Sequence, residues 1–219
     1  MAESTWAPTP AAPSLATLQK WVAGYVGYPQ SDEALETALA GIHMAVDRLN
    51  ARTWNWTLVS DDIPFNSATI DYPLTANFKK PQRFMILNPT GGQVFRLPFI
   101  SWQSFLNEYQ NSETAGDPCV YSCANVKEYG TISLDVFPTT DWVSKYPSGR
   151  LFYYRKVQYD SQDGTPDWPS EFTPFVLGWA EGFVADRYAP AKAGPAYGRA
   201  EAALRELVRD DNDTQTDWE

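Results

Sequence analysis

The amino-acid sequence predicts an α+β fold in which N-terminal helices, a central antiparallel β-sheet or β-hairpin region, and C-terminal helices follow one another. Apolar residues recur with the helical period near both ends of the chain, whereas they alternate with a period of two in its middle. Strands that are grouped between helices favour an antiparallel sheet over alternating βαβ units. A polar, acidic stretch from Asp210 to Glu219 predicts an extended acidic tail.

The N-terminal part of the chain is predicted to hold two helices behind a proline-rich arm. Three prolines among small residues indicate an extended arm over residues 1–13. Ser14 is predicted to cap a short helix that ends near Tyr25, and Ser31 to cap a second helix that ends near Asn50. The second helix carries apolar residues at spacings of three and four, namely Leu35, Leu39, Ile42, Val46 and Leu49.

Strands are predicted in the middle of the chain, separated by glycine- and proline-rich turns. Residues 53–59 alternate, so we expect Trp54, Trp56 and Leu58 on one side of a first strand. Residues 101–109 are predicted to form one short helix between strands. The other strand candidates are residues 67–72, 84–87, 94–97, 119–126, 131–136 and 151–158.

The helical period returns beyond Pro169. Ser170 is predicted to cap a helix that ends near Tyr188, and a last helix is expected from about Pro195 to Val208. The predicted organisation of the chain has three parts, which are a proline-rich arm with a short helix over residues 1–30, an α+β core over residues 31–190, and a C-terminal helix with its tail over residues 191–219.

The formal charge of −10 argues against a nucleic-acid-binding surface, which needs Lys and Arg to replace counterions around phosphates. No basic cluster stands out along the sequence, and seven acidic residues follow Ala200. The aromatic share of 15% is compatible with an aromatic-rich core and equally with protein interfaces, where Trp and Tyr are favoured.

The sequence predicts a chain that works inside a cell, without a secretion signal or a membrane span. Cys119 and Cys123 lie four apart in a predicted strand, where roughly 3.3 Å per residue would separate them by about 13 Å. Because a disulfide cannot bridge that distance, both are predicted to be reduced packing residues.

Candidates for catalysis are few, and the prediction is a protein that is not an enzyme and needs no cofactor or metal. His43, the one histidine, is expected to be a satisfied or half-exposed helix residue. Asp61 and Asp62 are predicted to lie in a turn before Ile63 and Pro64. The motifs of nucleophilic catalysis and nucleotide binding do not occur.

A second group of carboxylates surrounds Gly164, comprising Asp160, Asp163 and Asp167. Their spacing is vaguely that of a cation loop, but the alternate-position ligands and the closing Glu of a calcium loop are missing. A polar turn after a strand is therefore the favoured interpretation.

Several local phrases resemble the head-to-tail adaptor proteins of tailed bacteriophages. The resemblance covers residues 31 to 210 and joins an amphipathic helix, an aromatic segment, paired strands and an Ala-rich last helix. The phrases are Leu49-Asn50-Ala51-Arg52, Trp54-Asn55-Trp56, Ile70-Asp71-Tyr72-Pro73-Leu74, Asn77-Phe78, Thr131-Ile132-Ser133-Leu134 before Pro138, Leu151-Phe152-Tyr153-Tyr154-Arg155 and Asp167-Trp168.

The resemblance implies a structural subunit of the virion neck, made in the host cytoplasm. Such subunits form a homo-oligomeric ring, commonly of twelve copies, that binds the portal protein and tail or tail-hub proteins and continues the DNA channel. An acidic protein would let genomic DNA pass without binding it, and no membrane is involved. We expect the segment from Ala196 to Val208, with its tail, to dock on the portal. The candidate portal or subunit contacts are Tyr197, Leu204, Leu207 and Trp218.

Three alternatives stay open at this point, besides an internal packing role for the last helix. Another neck protein, such as a stopper or tail-completion protein, would share the modest size and extended arms. A tail-associated glycan hydrolase would use Asp160 or Asp163 as its acid, with a raised pKa. A binding module would present Trp54, Trp56 and Tyr72 as an exposed platform, although the same residues fit a sheet packed on a helix.

Overall fold

A computed structural model describes residues 13–109, 114–124, 130–159 and 165–215 of the 219-residue chain. It confirms a mixed α+β fold with antiparallel sheets and C-terminal helices. The chain forms two compact units. We call residues 54–156 the β unit, and the described parts of residues 1–53 and 157–219 the helical unit.

The described residues contain six α-helices and nine strands, with two short 3-10 turns at Asn55–Thr57 and Ser170–Phe172. The helices are α1 (Leu15–Tyr25), α2 (Asp32–Asn50), α3 (Trp102–Tyr109), α4 (Thr140–Lys145), α5 (Thr173–Tyr188) and α6 (Pro190–Gln215). The strands are β1 (Leu58–Pro64), β2 (Asp71–Pro73), β3 (Phe78–Leu87), β4 (Gln93–Leu97), β5 (Ala115–Gly116), β6 (Tyr121–Ala124), β7 (Thr131–Leu134), β8 (Phe137–Pro138) and β9 (Ser148–Arg155).

The first two helices begin where the sequence predicts, because both caps form. The Ser14 hydroxyl accepts a hydrogen bond from the backbone N–H of Thr17, and the Ser31 hydroxyl accepts one from that of Ala34. In α2 the predicted apolar face is only partly buried. Ile42, Val46 and Leu49 lie in the core, together with the small residues Ala34, Ala38 and Ala45.

The helical unit consists of α1, α2, α5 and α6, and glycines allow α5 to lie close to its neighbours. A Cβ atom built on Gly178 would lie 3.0 Å from the backbone nitrogen of Ala200 on α6. One built on Gly41 of α2 would lie 3.1 Å from the Cα atom of Ala180. Side chains larger than hydrogen at these positions would push the helices apart.

The β unit contains a four-stranded sheet in the order β1-β9-β3-β4 and a three-stranded sheet in the order β2-β7-β6, and every pairing in the two sheets is antiparallel. The short strands β5 and β8 form a separate parallel pair. Inward side chains of the two larger sheets meet in one aromatic-rich core, which includes Phe65, Phe84, Tyr121, Ile132, Leu134, Trp142 and Leu151.

The prediction of a strand over residues 53–59 is wrong in its position and in the type of secondary structure. Residues Asn55–Thr57 form a 3-10 turn, and β1 starts only at Leu58. The turn is stabilised because the Thr57 hydroxyl donates a hydrogen bond of 2.6 Å to the backbone oxygen of Trp54. Trp54 is buried and Leu58 is exposed, so their side chains do not share one face.

Several other boundaries differ from the prediction. Strand β3 begins at Phe78, six residues before the predicted strand, and β6 begins only at Tyr121. Helix α4 was not predicted, although Thr139 caps it by accepting a hydrogen bond from the N–H of Trp142. Asp61 and Asp62 lie in the middle of β1, which corrects their predicted position in a turn.

The last helix is longer than the sequence predicts at both ends. Helix α6 starts at Pro190, whose missing N–H costs no hydrogen bond in a first turn, and Pro195 lies inside it. It continues through the acidic residues to Gln215, where the sequence predicts an extended tail. The side chain of Arg52 supports this end by donating a 2.8 Å hydrogen bond to the Asn212 side chain.

The cysteines are both free thiols, but only one is a packing residue. Cys123 is buried in β6, and burial raises the pKa of its thiol to about 12. Cys119 is exposed and precedes the strand, so its predicted packing role is wrong. None of the helices in the described part of the chain combines the length and the apolarity that crossing a bilayer requires.

Candidate interaction surfaces

Helix α6, the predicted docking element, packs against α5 along one face. It has 26 residues against 16 in α5, which corresponds to about 39 Å against about 24 Å. Its buried side chains toward α5 include Ala196 and Ala200, which are both fully inaccessible to solvent. The small side chains on this face serve internal packing.

Tyr197 is half-buried and makes contacts within the helical unit. Its ring lies 4.9 Å from that of Trp179, and its hydroxyl donates a 2.8 Å hydrogen bond to the Asp186 carboxylate. Burial, together with that hydrogen bond, raises the pKa of Tyr197 to about 12. A Cβ atom on Gly182 would lie 2.6 Å from the Tyr197 ring, so glycine makes room for the aromatic side chain.

The other candidate contacts on α6 differ in exposure. Leu207 is buried, and Leu204 is half-buried. Trp218 lies outside the described residues. Glu201 and Arg205, which form an ion pair one helical turn apart, are both exposed. In the described part of α6, solvent therefore meets a largely polar side, while Tyr197 and Leu207 are engaged in packing within the chain.

A second surface, which the sequence analysis missed, is the outward face of the four-stranded sheet. Residues paired across β1, β9, β3 and β4 place their side chains on the same side. Inward positions on these strands are filled by core residues such as Phe84 and Leu151. We define the outer sheet face by the opposite set, which is Leu58, Ser60, Asp62, Lys80, Arg83, Met85, Arg96, Arg150, Phe152 and Tyr154.

Four cations from three strands converge on this face. Lys80 and Arg83 come from β3, Arg96 from β4 and Arg150 from β9. Basic residues that are far apart in sequence thus share one face of the sheet, which a search for basic runs along the sequence does not detect. The signal that could have revealed it is the alternation of Arg150, Phe152 and Tyr154 with buried residues in β9.

Arg150 and Asp62 neutralise each other across β9 and β1. Two guanidinium nitrogens of Arg150 donate to the two carboxylate oxygens of Asp62, at 2.6 and 2.8 Å. This hydrogen bonding holds the pKa of Asp62 below its usual value. A carboxyl group in this state is a poor general acid, because an acid in catalysis needs its pKa raised.

The Asp62 pair predicts a small loss of stability in acid. Since the folded state lowers the pKa of Asp62, its contribution is present above the unfolded pKa and is lost as the pH falls through the folded pKa. We expect Asp62→Asn to be less stable than wild type at pH 7, with the difference shrinking toward pH 3. Urea unfolding at both pH values measures it, and a difference that grows in acid would contradict the assignment.

The neighbouring carboxylate, Asp61, has a structural role on the inner side of β1. The hydroxyl of Tyr153 donates a 2.8 Å hydrogen bond to Asp61, and the hydroxyl of Thr75 lies 2.8 Å from that of Tyr153. Since the Tyr153 proton is directed at Asp61, Thr75 is the donor in the second bond. This chain of hydrogen bonds links β1, β9 and the segment before β3.

The remaining candidates for chemistry do not come together in the described residues. His43 is half-buried, as predicted, and its ring lies 3.8 Å from that of Tyr159. Asp160 and Asp163 lie outside the described residues, and Asp167 accepts a 3.0 Å hydrogen bond from the backbone N–H of Gln158. Within the described ranges, no group of three His, Cys, Asp or Glu side chains could hold a metal ion.

The aromatic platform considered for a binding module is not present as an exposed surface. Trp54 is 1% exposed and Tyr72 is 5% exposed, so both belong to the interior. Trp56 is half-buried, with the Arg155 guanidinium 5.8 Å from the centre of its ring. The packing interpretation of these aromatic residues is the correct one.

Known proteins add no further constraint on these surfaces. No protein-family model matches the chain, and no curated protein matches it in sequence.

Proposed function

We propose that this chain is a structural subunit of a tailed-phage neck, forming a ring adaptor that lies between portal and tail and continues the DNA channel. The observation that carries the proposal is the order of its elements, with α2 before the antiparallel sheets and α5 and α6 after them. This order runs through residues 31–210, the range that resembles the head-to-tail adaptors. The family phrases fall at the end of α2, in β2, β7 and β9, and just before α5.

A contact role, without catalysis, is the second part of the proposal. The carboxylates of β1 are occupied by strand-to-strand bonds, with Asp62 held by Arg150 and Asp61 by Tyr153. Large apolar side chains are instead exposed on both units, including Trp21 and Tyr28 on the helical unit and Phe99 on the β unit. Aromatic residues are among the types enriched at protein–protein interfaces.

The proposed partners are the portal protein, tail or tail-hub proteins, and further copies of the chain in a ring of about twelve, by resemblance to the family. The virion neck is the proposed location, after assembly in the host cytoplasm. The net charge of −10 supports passage of genomic DNA without capture, because phosphates are repelled by an acidic wall.

Within this assembly, we propose that the polar end of α6 contacts the portal. The face of α6 around Ala196 and Ala200 is used against α5, which leaves the exposed side of the helix for a partner. Leu204 is the one described apolar candidate of this helix that keeps partial exposure near that end. The contact would thus be mainly polar, with Leu204 at its margin.

The direct test is the oligomeric state of the purified full-length chain. We expect native mass spectrometry and negative-stain imaging to show closed rings, alone or on portal rings from the same phage, with about twelve copies by family resemblance. A persistent monomer with a ligand-binding cleft would contradict the proposal. A ring that binds the tail but not the portal would instead indicate a stopper or tail-completion protein.

The portal contact is tested separately with a chain shortened after Val208. This truncation keeps the buried Leu207 and removes Asp211 and Asn212, whose side chains both contact Arg52. We expect the shortened chain to keep its circular dichroism spectrum and to lose portal binding in co-sedimentation. Unchanged binding would end the docking role of this segment while leaving ring formation untouched.

A further inference from the structure

We propose that the outer sheet face binds the acidic helical unit of a second copy of this chain, in a head-to-tail contact. The inference rests on the proposed assembly into a ring, and it specifies which surfaces meet. It follows from the composition of the face, from the distribution of charge between the two units, and from a surface depression beside Arg96.

The composition of the outer sheet face is typical of a protein–protein interface. Three of its ten residues are arginines, two are aromatic and one is methionine, whereas lysine and aspartate occur once each. Arginine, aromatic residues and methionine are the types enriched at interfaces, and lysine and acidic residues are depleted there. On a sheet face that only meets solvent, lysine and acidic residues would outnumber arginine, aromatic residues and methionine.

The outer sheet face carries a net positive charge. Arg150 is neutralised by Asp62, but Lys80, Arg83 and Arg96 form no salt bridge with any described residue. All three side chains are exposed. The face therefore offers about three free positive charges, arranged around the half-buried Phe152 and Tyr154.

The complementary charge is carried by the other unit. Residues 54–156 contain nine basic and nine acidic residues, whereas residues 1–53 and 157–219 contain eight basic and eighteen acidic residues. The net charge of −10 thus belongs to these sequence segments, and their described part, the helical unit, still carries thirteen acidic against eight basic residues. Opposite potentials on two surfaces favour their association and its rate.

The contact must be heterologous, that is, between two different surfaces. A two-fold contact would bring the outer sheet face against itself and place like charges opposite each other. Asp62 could not offset this repulsion, because it is the one acidic residue of the face and is already paired with Arg150. When the sheet face of one copy binds the helical unit of the next, the first and the last copy of the resulting row each keep one unoccupied surface. Such contacts close into rings when the rotation permits.

Single-stranded nucleic acid fits this face less well than a protein does. Base stacking needs an open aromatic ring, but the Arg83 guanidinium lies 4.2 Å from the centre of the Phe152 ring and covers it. Beside the face, Arg96 also lines a depression of about 530 Å³ together with Pro81, Pro98 and the exposed Phe99. A mixed cationic and apolar depression suits an anchoring side chain from a protein partner.

Charge reversal on the face is the first test. We expect Arg83→Glu and Arg96→Glu each to weaken self-association of the full-length chain at least about tenfold, measured by analytical ultracentrifugation, since like charges would then face each other. The matched control is Lys145→Glu, which makes the same charge change at an exposed site on α4. The control is expected to associate like wild type.

Cross-linking identifies the partner surface. A zero-length carbodiimide reagent joins an amine to a carboxylate in contact, and mixed isotope-labelled and unlabelled copies distinguish contacts between copies from those within one. We expect Lys80 of one copy to be joined to carboxylates of the helical unit of another. Cross-links from Lys80 to carboxylates of the β unit only would overturn the assignment.

The outcomes separate this inference from the proposed function. Wild-type rings that Arg83→Glu and Arg96→Glu leave intact would contradict the interface alone. A wild-type chain that stays monomeric at every concentration would contradict the proposed function and the interface with it. Tight binding of a single-stranded oligonucleotide, lost in Arg96→Glu while rings persist, would assign the face to nucleic acid instead.

Discussion

Replacing Phe84 with alanine is expected to lower the free energy of unfolding of the β unit by about 3–5 kcal/mol. Phe84 is fully buried in β3, and its ring packs edge-on against Phe65 and Tyr121, with centroid distances of 5.9 and 5.2 Å. The substitution removes the central ring of this group and leaves a cavity that the paired strands β3 and β9 cannot collapse to fill. Urea unfolding followed by near-ultraviolet circular dichroism reports on these aromatic residues.

A double mutant at the same site tests whether Gly149 makes room for the Phe84 ring. A Cβ atom on Gly149 of β9 would lie 2.5 Å from Phe84 Cε2 and 2.8 Å from Phe65 Cζ. We therefore expect Gly149→Ala to cost about 1–3 kcal/mol by overpacking. In the Phe84→Ala background most of that cost should vanish, because the nearer ring is gone and the Phe65 ring can shift into the space that it leaves. Additive effects in the double mutant would show that Gly149 is required for another reason.

The helices at the N-terminus could be predicted from sequence because their signals are local. Ser14 and Ser31 act as caps through bonds to residues three positions later, and such bonds depend little on the rest of the molecule. Helix α5 follows the rule only at its end, which is observed at the predicted Tyr188. The prediction that Ser170 caps this helix is wrong, because Ser170 lies in the preceding 3-10 turn and α5 begins at Thr173 without a side-chain cap. Periodicity and caps are sufficient wherever an element is stabilised by its own sequence neighbours.

The strands were harder to predict because their pairing partners are far away in the chain. Strand β1 pairs with β9, which is about ninety residues distant, and the polar residues Ser60 to Asp62 look like a turn until that partner is known. The strand predicted around Trp54 was wrong for a different reason. Its burial is achieved through a 3-10 turn, so alternation around it did not indicate a strand.

The candidate surfaces also divide into features that sequence neighbours determine and features that depend on distant residues. Tyr197 and Leu207 were identified from one helix, but the packing of Tyr197 against α5 depends on Gly182, whose role only the structure explains. The outer sheet face could not be assembled from sequence at all, since its cations lie on three strands. The end of α6 also depends on a distant residue, because Arg52 bonds to Asn212 where the sequence favours an extended tail.

Two glycine substitutions in the helical unit are expected to act with opposite signs. Gly178→Ala places a methyl group 3.0 Å from the backbone nitrogen of Ala200 and 3.2 Å from the carbonyl oxygen of Ala196. Since backbone atoms cannot move aside as a side chain can, α5 and α6 must separate along their contact. We expect a loss of about 1–3 kcal/mol in the free energy of unfolding, despite the better helix propensity of alanine.

The matched change, Gly198→Ala on α6, places its methyl group where no atom lies within 4 Å. Here the propensity of alanine acts alone, and we expect the free energy of unfolding to rise by about 0.5–1 kcal/mol. Urea unfolding followed at 222 nm, where the helices dominate the signal, compares both variants with wild type. If Gly178→Ala also raised stability, the close contact between α5 and α6 would not exist in solution, and the face of Tyr197 that packs on α5 would be available to a partner.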